Sequence, residues 1–183
     1  MGASGGAKRA VSRRESEAAL RGLVRFHDEV ERDAAALAAR HRERLQCRRG
    51  CTDCCVDELT VFEVEAERIR RGAARLLDEG TPHPAGACAF LGRDGACRIY
   101  ADRPYVCRTQ GLPLRWIEER ADGVPVEFRD ICPLNEEGPL VEALDEDACW
   151  TLGPAEGRLA AIQQAFGGDL QRVRLRDLFR RRT

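Results

Sequence analysis

The sequence predicts an α+β fold: a small cysteine-rich domain with two short hairpins, preceded by a long N-terminal helix and followed by a C-terminal helix. Three observations predict it. Apolar residues near the start recur at spacings of three and four, the mark of one helical face. Two later stretches pair strand-forming residues across tight Gly- and Asp-containing turns. A third helical pattern begins after Pro154 and is closed by Gly167-Gly168.

In chain order, residues 1–12 are Gly, Ala, Ser and basic, and read as a disordered leader. Ser12 and Glu15 have capping-box spacing, so a helix over 13–46 follows, ending near Gln46. Its face is Leu20, Leu23, His27, Val30, Ala34, Leu37 and His41. A short strand is expected from Asp57 to Thr60. Thr60 and Glu63 then form a second capping-box candidate, opening one helix with the face Phe62, Ala66, Ile69, Ala73, Leu76 and Leu77 and a stop at Gly80. A Pro-Gly loop follows. Residues 88–100 read as a hairpin around Gly92-Arg93-Asp94-Gly95, and Asp102 with Pro104 opens a short helix carrying Cys107. A second hairpin pairs 115–119 with 124–129, and Cys132-Pro133 ends it. The cysteine-bearing domain is thus 47–135, and 136–183 is an extension, its helix at 154–166, packing on it.

Composition narrows the function. The chain of 183 residues is long enough for one buried core, and with only 5% aromatics that core rests on aliphatic residues. A net charge of -1 gives no broad basic field for nucleic acid, and acidic residues interleave with basic ones through most of the chain. No stretch approaches the roughly 20 apolar residues of a membrane span, and the first fifteen hold no signal-peptide core. The expectation is a cytoplasmic protein. Of the 30 basic residues only Lys8 is a lysine. Arginine keeps its charge and can donate to thiolates.

Nine cysteines are the main signal. Without evidence of secretion, they point to metal rather than disulfides. The first block is Cys47-Arg-Arg-Gly-Cys51-Thr-Asp-Cys54-Cys55. Such short spacings let one loop offer several sulfurs at little closure entropy. Thiolates suit zinc or an iron–sulfur cluster, whereas calcium and magnesium want oxygens. Cys55 is the weaker member, since neighbours in extended backbone point apart. The second block is Cys88, Cys97 and Cys107; Cys132 completes the candidate ligand set, and Cys149 is the expected bystander.

Other residues have blander readings. Arg48, Arg49, Arg98, Arg103 and Arg108 flank candidate ligands, and Arg108 is the best placed to donate to sulfur. His27 and His41 lie on an apolar face, where a histidine is usually a hydrogen-bonded core residue. Asp53 and Asp57 more often cap turns than ligate, and Glu63 with Glu67 is a common surface pair.

Taken together, Cys47-x3-Cys51-x2-Cys54-Cys55, Cys88-Ala-Phe-Leu and Cys97-Arg-Ile-Tyr-x3-Arg103-Pro104-x2-Cys107-Arg108 resemble the CxxCxxCC cysteine-cluster family, also called YkgJ-like. The resemblance spans roughly residues 47–135. It implies a bacterial zinc- or iron-chelating protein or an iron–sulfur protein, usually with no assigned reaction. Flagellin lysine methylases contain a similar cluster. The matching residues are Cys47, Cys51, Cys54, Cys55, Cys88, Cys97 and Cys107, with Cys132 matching more loosely.

Three functions compete. The first is a metal-binding protein coordinating an iron–sulfur cluster, [4Fe–4S] first, or zinc. The second is a SAM-dependent or redox enzyme, because Cys47-x3-Cys51-x2-Cys54 is also the radical-SAM spacing. Against it, a helix rather than a barrel strand precedes the loop, and the chain is short for a (β/α) barrel of about 250 residues. The third is a zinc-stabilised interaction module, recruiting a protein partner through the first helix and the arginine-rich tail (Arg172, Arg174, Arg176, Arg180, Arg181, Arg182).

Overall fold

The structure is a computed structural model and describes residues 11–179. The leader expected over 1–12 lies outside the described residues as far as residue 10, and so do Arg180, Arg181 and Arg182 of the tail.

Helix α1 runs Arg13–Arg40 and opens with the expected capping box: the Ser12 hydroxyl accepts the Glu15 N–H, and the Glu15 carboxylate accepts the Ser12 N–H at 2.8 Å. Its expected face is buried from Leu20 to Leu37, and Phe26, outside the predicted stripe, is buried with it. The helix ends before Gln46. The His41 N–H closes it onto Leu37 and Ala38, and the chain then turns, with the Arg44 and Leu45 N–H groups both reaching the His41 carbonyl.

Strand β1 (Thr60–Phe62) precedes helix α2 (Glu63–Gly72). The expected strand over 57–60 is therefore displaced toward the C-terminus, and Thr60 is not a helix cap. Phe62 is the N-cap and makes no side-chain cap bond. Tertiary partners satisfy the helix start instead: Glu63 N–H bonds the Gln171 carbonyl at 3.1 Å, and Val64 N–H bonds Gln163 Oε1 at 2.9 Å. Nor is the helix single. Ala73, at φ -118°, separates α2 from α3 (Ala74–Glu79).

The first expected hairpin shrinks to one bridge, Leu91 to Cys97, around the Gly92–Gly95 turn. Flanking residues spend their hydrogen bonds on turns, Leu91 N–H on the Cys88 carbonyl and Asp102 N–H on that of Ile99. Helix α4 (Tyr105–Arg108) then carries Cys107 as expected. The second hairpin forms from β2 (Leu114–Glu119) and β3 (Pro125–Asp130), in antiparallel register from Leu114–Asp130 to Glu119–Pro125. Strand β4 (Trp150–Thr151) adds parallel to β2 and was not foreseen, being only two residues long. Helix α5 (Leu152–Gly167) ends on Gly168, whose φ of 75° is the left-handed cap glycine accepts without strain. Strand β5 (Arg172–Arg174) closes the fold by pairing antiparallel with β1.

Three apolar clusters hold these parts. One joins Leu20, Leu23, Phe26 and Val30 of α1 to Val64, Tyr105 and Leu159. A second gathers Val61, Ala66, Ile69, Phe90, Ile99, Leu175 and Leu178 beneath the second cysteine block. The third, Ala34, Leu37 and Leu112, seats the far end of α1. No described helix is long and apolar enough to cross a membrane.

Candidate metal centre

All nine cysteines are free thiols. Seven of the eight sequence candidates, Cys47, Cys51, Cys54, Cys55, Cys88, Cys97 and Cys107, border one cavity of about 740 Å³. They come from three pieces of chain that share few residues of regular structure, so other contacts must hold them in place.

The first loop is built of consecutive turns: Cys51 N–H bonds the Arg48 carbonyl, and Cys55 N–H bonds that of Thr52. This explains Cys55. The extended-backbone argument set it apart from Cys54, but a turned backbone lets both residues face the cavity. Gly50 turns at φ 92° and packs against Gly95, where an added Cβ would lie 3.1 Å from the Gly50 Cα. That close approach, with the Arg49–Asp94 ion pair at 2.7 Å, brings the first loop onto the turn before Cys97. Cys88 N–H donates to the Cys55 carbonyl at 2.8 Å and fixes the second block beside the first.

Cys107 is placed by α1. His27 and Glu31 stand one turn apart on that helix. His27 Nε2 meets Glu65 Oε1 at 3.2 Å, and the same oxygen accepts the Tyr105 N–H at 2.7 Å, at the start of α4. Glu31 accepts Arg103 on both oxygens and Arg108 on one, at 2.8 to 2.9 Å. Arg108 also donates to the carbonyls of Arg103 and Ala101. It therefore holds the backbone around Cys107 rather than donating to sulfur as expected. Arg98 likewise serves the Thr81 and Ala89 carbonyls, and Arg49 serves Asp94.

Burial raises the pKa of Cys54, Cys55, Cys88, Cys97 and Cys107, and neighbouring thiols add to it in all of these but Cys97. Cys55 is pushed up to about 12 by burial and then by Cys54, Cys88 and Cys97. Cys107 is pushed higher still, by burial and then by Cys88, Cys97, Cys54 and Cys55. Cys54, Cys88 and Cys97 are also raised, each chiefly by burial. A nearby cation reverses this, since a coordinating thiol is deprotonated outright. Among the described residues, no group of three or more His, Cys, Asp or Glu side chains stands close enough together to hold a metal ion. The cysteines line the cavity without converging on a point.

Residues 46–125 match the CxxCxxCC family, described as "Putative zinc- or iron-chelating domain". The match supports metal binding by this segment in general terms. All seven cavity cysteines lie inside the CxxCxxCC segment, whereas the whole of α1, Cys132 and Cys149 lie outside it. No curated protein and no solved structure matches the chain.

The remaining candidates fall elsewhere. Cys132 is not among the cavity-lining residues; it caps the Pro133–Asn135 turn. Cys149 is buried near Arg129 and Arg115, apart from the cavity. His27 is a hydrogen-bonded core residue, and His41 Nε2 meets the Ala148 carbonyl at 2.7 Å. Glu63 and Glu67 both bind Arg70. Asp57 takes the Gly86 N–H and Arg176. The tail arginines are engaged too: Arg172 on Thr60, Arg174 on Asp177 and Glu58, and Arg176 on Asp57. Sequence reasoning missed Asn135. It is fully buried and hydrogen-bonded to the Cys47 loop, and only its place three residues after Cys132 hinted at it.

Proposed function

We propose that the CxxCxxCC segment holds an iron–sulfur centre, [4Fe–4S] before smaller clusters, with zinc as the alternative. Its ligands are drawn from Cys47, Cys51, Cys54, Cys55, Cys88, Cys97 and Cys107. One observation carries the reading: these seven sulfurs border a single cavity. The donor set is all thiol, which fits iron–sulfur clusters and zinc and not hard cations. Seven sulfurs at one cavity exceed the four that a single zinc takes, which favours a polynuclear cluster over one ion. Cys132 stands as a reserve ligand from the sequence.

An iron–sulfur centre supplies one-electron transfer. The chain's own part is to orient and shield. The turns at Cys51 and Cys55 aim adjacent sulfurs together, and the α1 contacts of Tyr105 and Arg108 fix Cys107. Loading displaces protons from thiols whose pKa values lie above neutrality, so affinity rises with pH. The free thiols also suit a cytosolic, reducing setting.

The deciding experiment is iron, zinc and acid-labile sulfide analysis with an optical spectrum, on protein purified without oxygen. Stoichiometric iron and sulfide with thiolate-to-iron colour is the expected result. Zinc without sulfide or colour would make the centre structural and move the function to the interaction-module reading. Neither metal would end both.

A further inference from the structure

We infer that Asn135 is a positioning residue of the metal centre: its side-chain N–H donates to the Cys47 sulfur and draws electron density from it. This rests on the proposed centre. Asn135 is fully buried, outside the CxxCxxCC segment, on the turn that follows Cys132.

The orientation of its amide is decided by its partners. Gln46 presents a backbone N–H at 2.7 Å, which only the Oδ1 atom can accept. Gly111 presents a carbonyl at 2.8 Å, which only Nδ2 can face. Flipping the amide would set donor against donor and acceptor against acceptor. One Nδ2 proton is thus spent on Gly111, and the other points to Cys47 Sγ, 3.5 Å away. The backbone of Asn135 is held as well, its N–H on the Cys132 carbonyl at 2.7 Å and its carbonyl by Arg44 Nε at 2.9 Å.

Gly111 supports the same conclusion independently. Its φ is 88°, and a Cβ added there would lie 2.3 Å from Cys47 Sγ and 3.2 Å from Asn135 Nδ2. The absent side chain is the space in which sulfur and amide meet. Hydrogen bonds to cluster sulfurs stabilise the more negative, reduced state and are a recognised control of potential.

The test uses the full chain. Wild type and the variants Asn135→Asp, which keeps the oxygen for Gln46, and Asn135→Ala are loaded with cobalt(II) and, separately, with iron and sulfide. In the folded, loaded variants, the sulfur-to-cobalt band should move to longer wavelength and the iron centre's potential should become more negative. Band and potential unchanged from wild type would overturn the inference and leave Asn135 a purely structural residue. The second measurement needs no variant. In wild type loaded with a spin-active cadmium isotope, an Asn135 side-chain proton should show coupling to the metal through the hydrogen bond. Loaded protein without that coupling would overturn the inference even if neither variant folds. Wild type that takes up none of these metals would instead sink the metal-centre reading itself.

Discussion

At the scale of single residues, His27 shows how neighbours settle a protonation state. It is fully buried between two partners. Arg68 Nη1 lies 2.8 Å from its Nδ1 and can only donate, so Nδ1 is the acceptor. The proton therefore sits on Nε2 and points at Glu65. A second proton would confront the guanidinium, and burial lowers the His27 pKa from its usual value despite Glu65. The unfolded chain then binds more protons below about pH 6.5, so stability falls as pH drops below that point. Urea midpoints between pH 8 and pH 5 should fall less steeply in His27→Gln than in wild type. Equal slopes would mean that His27 does not stay neutral. Glu31 is a second case. It holds Arg103 and Arg108, whose side chains are 11% and 5% exposed, while being itself 45% exposed. Losing one partner of a buried pair costs about 3–5 kcal/mol, and the exposure of Glu31 brings the expected cost of Glu31→Gln to about 1–3 kcal/mol. Denaturant unfolding would measure it.

At the scale of elements, stability and site geometry are carried by different contacts. Phe26 is 1% exposed and joins α1 to α4 and α5, so Phe26→Ala should cost about 3–5 kcal/mol in unfolding experiments. The β5–turn segment acts on the site instead. Arg176 donates to Asp57 at 2.8 Å and to the His83, Pro84 and Ala87 carbonyls, pinning the loop that delivers Cys88. Arg176 and then the Gly86 N–H hold the Asp57 pKa down to about 2. That contribution is present above the ordinary carboxylate range and is lost as pH falls through about 2. Removing charged hydrogen bonds worth about 1.5–3 kcal/mol each frees the loop, so Arg176→Ala should raise the alkylation rate of Cys88 in metal-free protein by about tenfold or more. Peptide mapping after timed labelling would read this out, and an unchanged Cys88 rate would show that the loop is held by other means.

At the scale of the whole molecule, the three pieces carrying cysteines have little regular structure between them, and a bound centre should act as a cross-link. Loading at a free concentration about 1,000-fold above the dissociation constant adds roughly 4 kcal/mol, which for this size raises the melting temperature by about 8–16 °C. Chelation should reverse the shift, and scanning calorimetry with and without metal would show it. A melting temperature insensitive to metal would place the cysteines outside any structural role. The β2–β3–β4 sheet, by contrast, packs through Leu114 and Trp150, beside Leu112, against the far end of α1 and should be less affected.

Local signals in the sequence were enough for the capped start of α1 and its apolar face, the hairpin of 115–119 with 124–129 to within a residue at its ends, the glycine stop of α5 and the cysteine motif itself. Each depends on residues close together in the chain, where periodicity, turn chemistry and ligand spacing operate. What depended on distant partners was legible only in the tertiary structure. The start of α2 is capped by Gln171 and Gln163 rather than Thr60, β4 is a strand only because β2 lies beside it, and Arg108 turned to Glu31 instead of sulfur. Asn135 belongs to the same class: an asparagine in a turn carries no sign of a thiol reached across 88 positions of chain. The sequence by itself determined which atoms are suited to metal, because ligand chemistry resides in residue types. The tertiary structure decided which sulfurs share a cavity and what holds them, because burial and hydrogen-bond geometry exist only once distant segments meet.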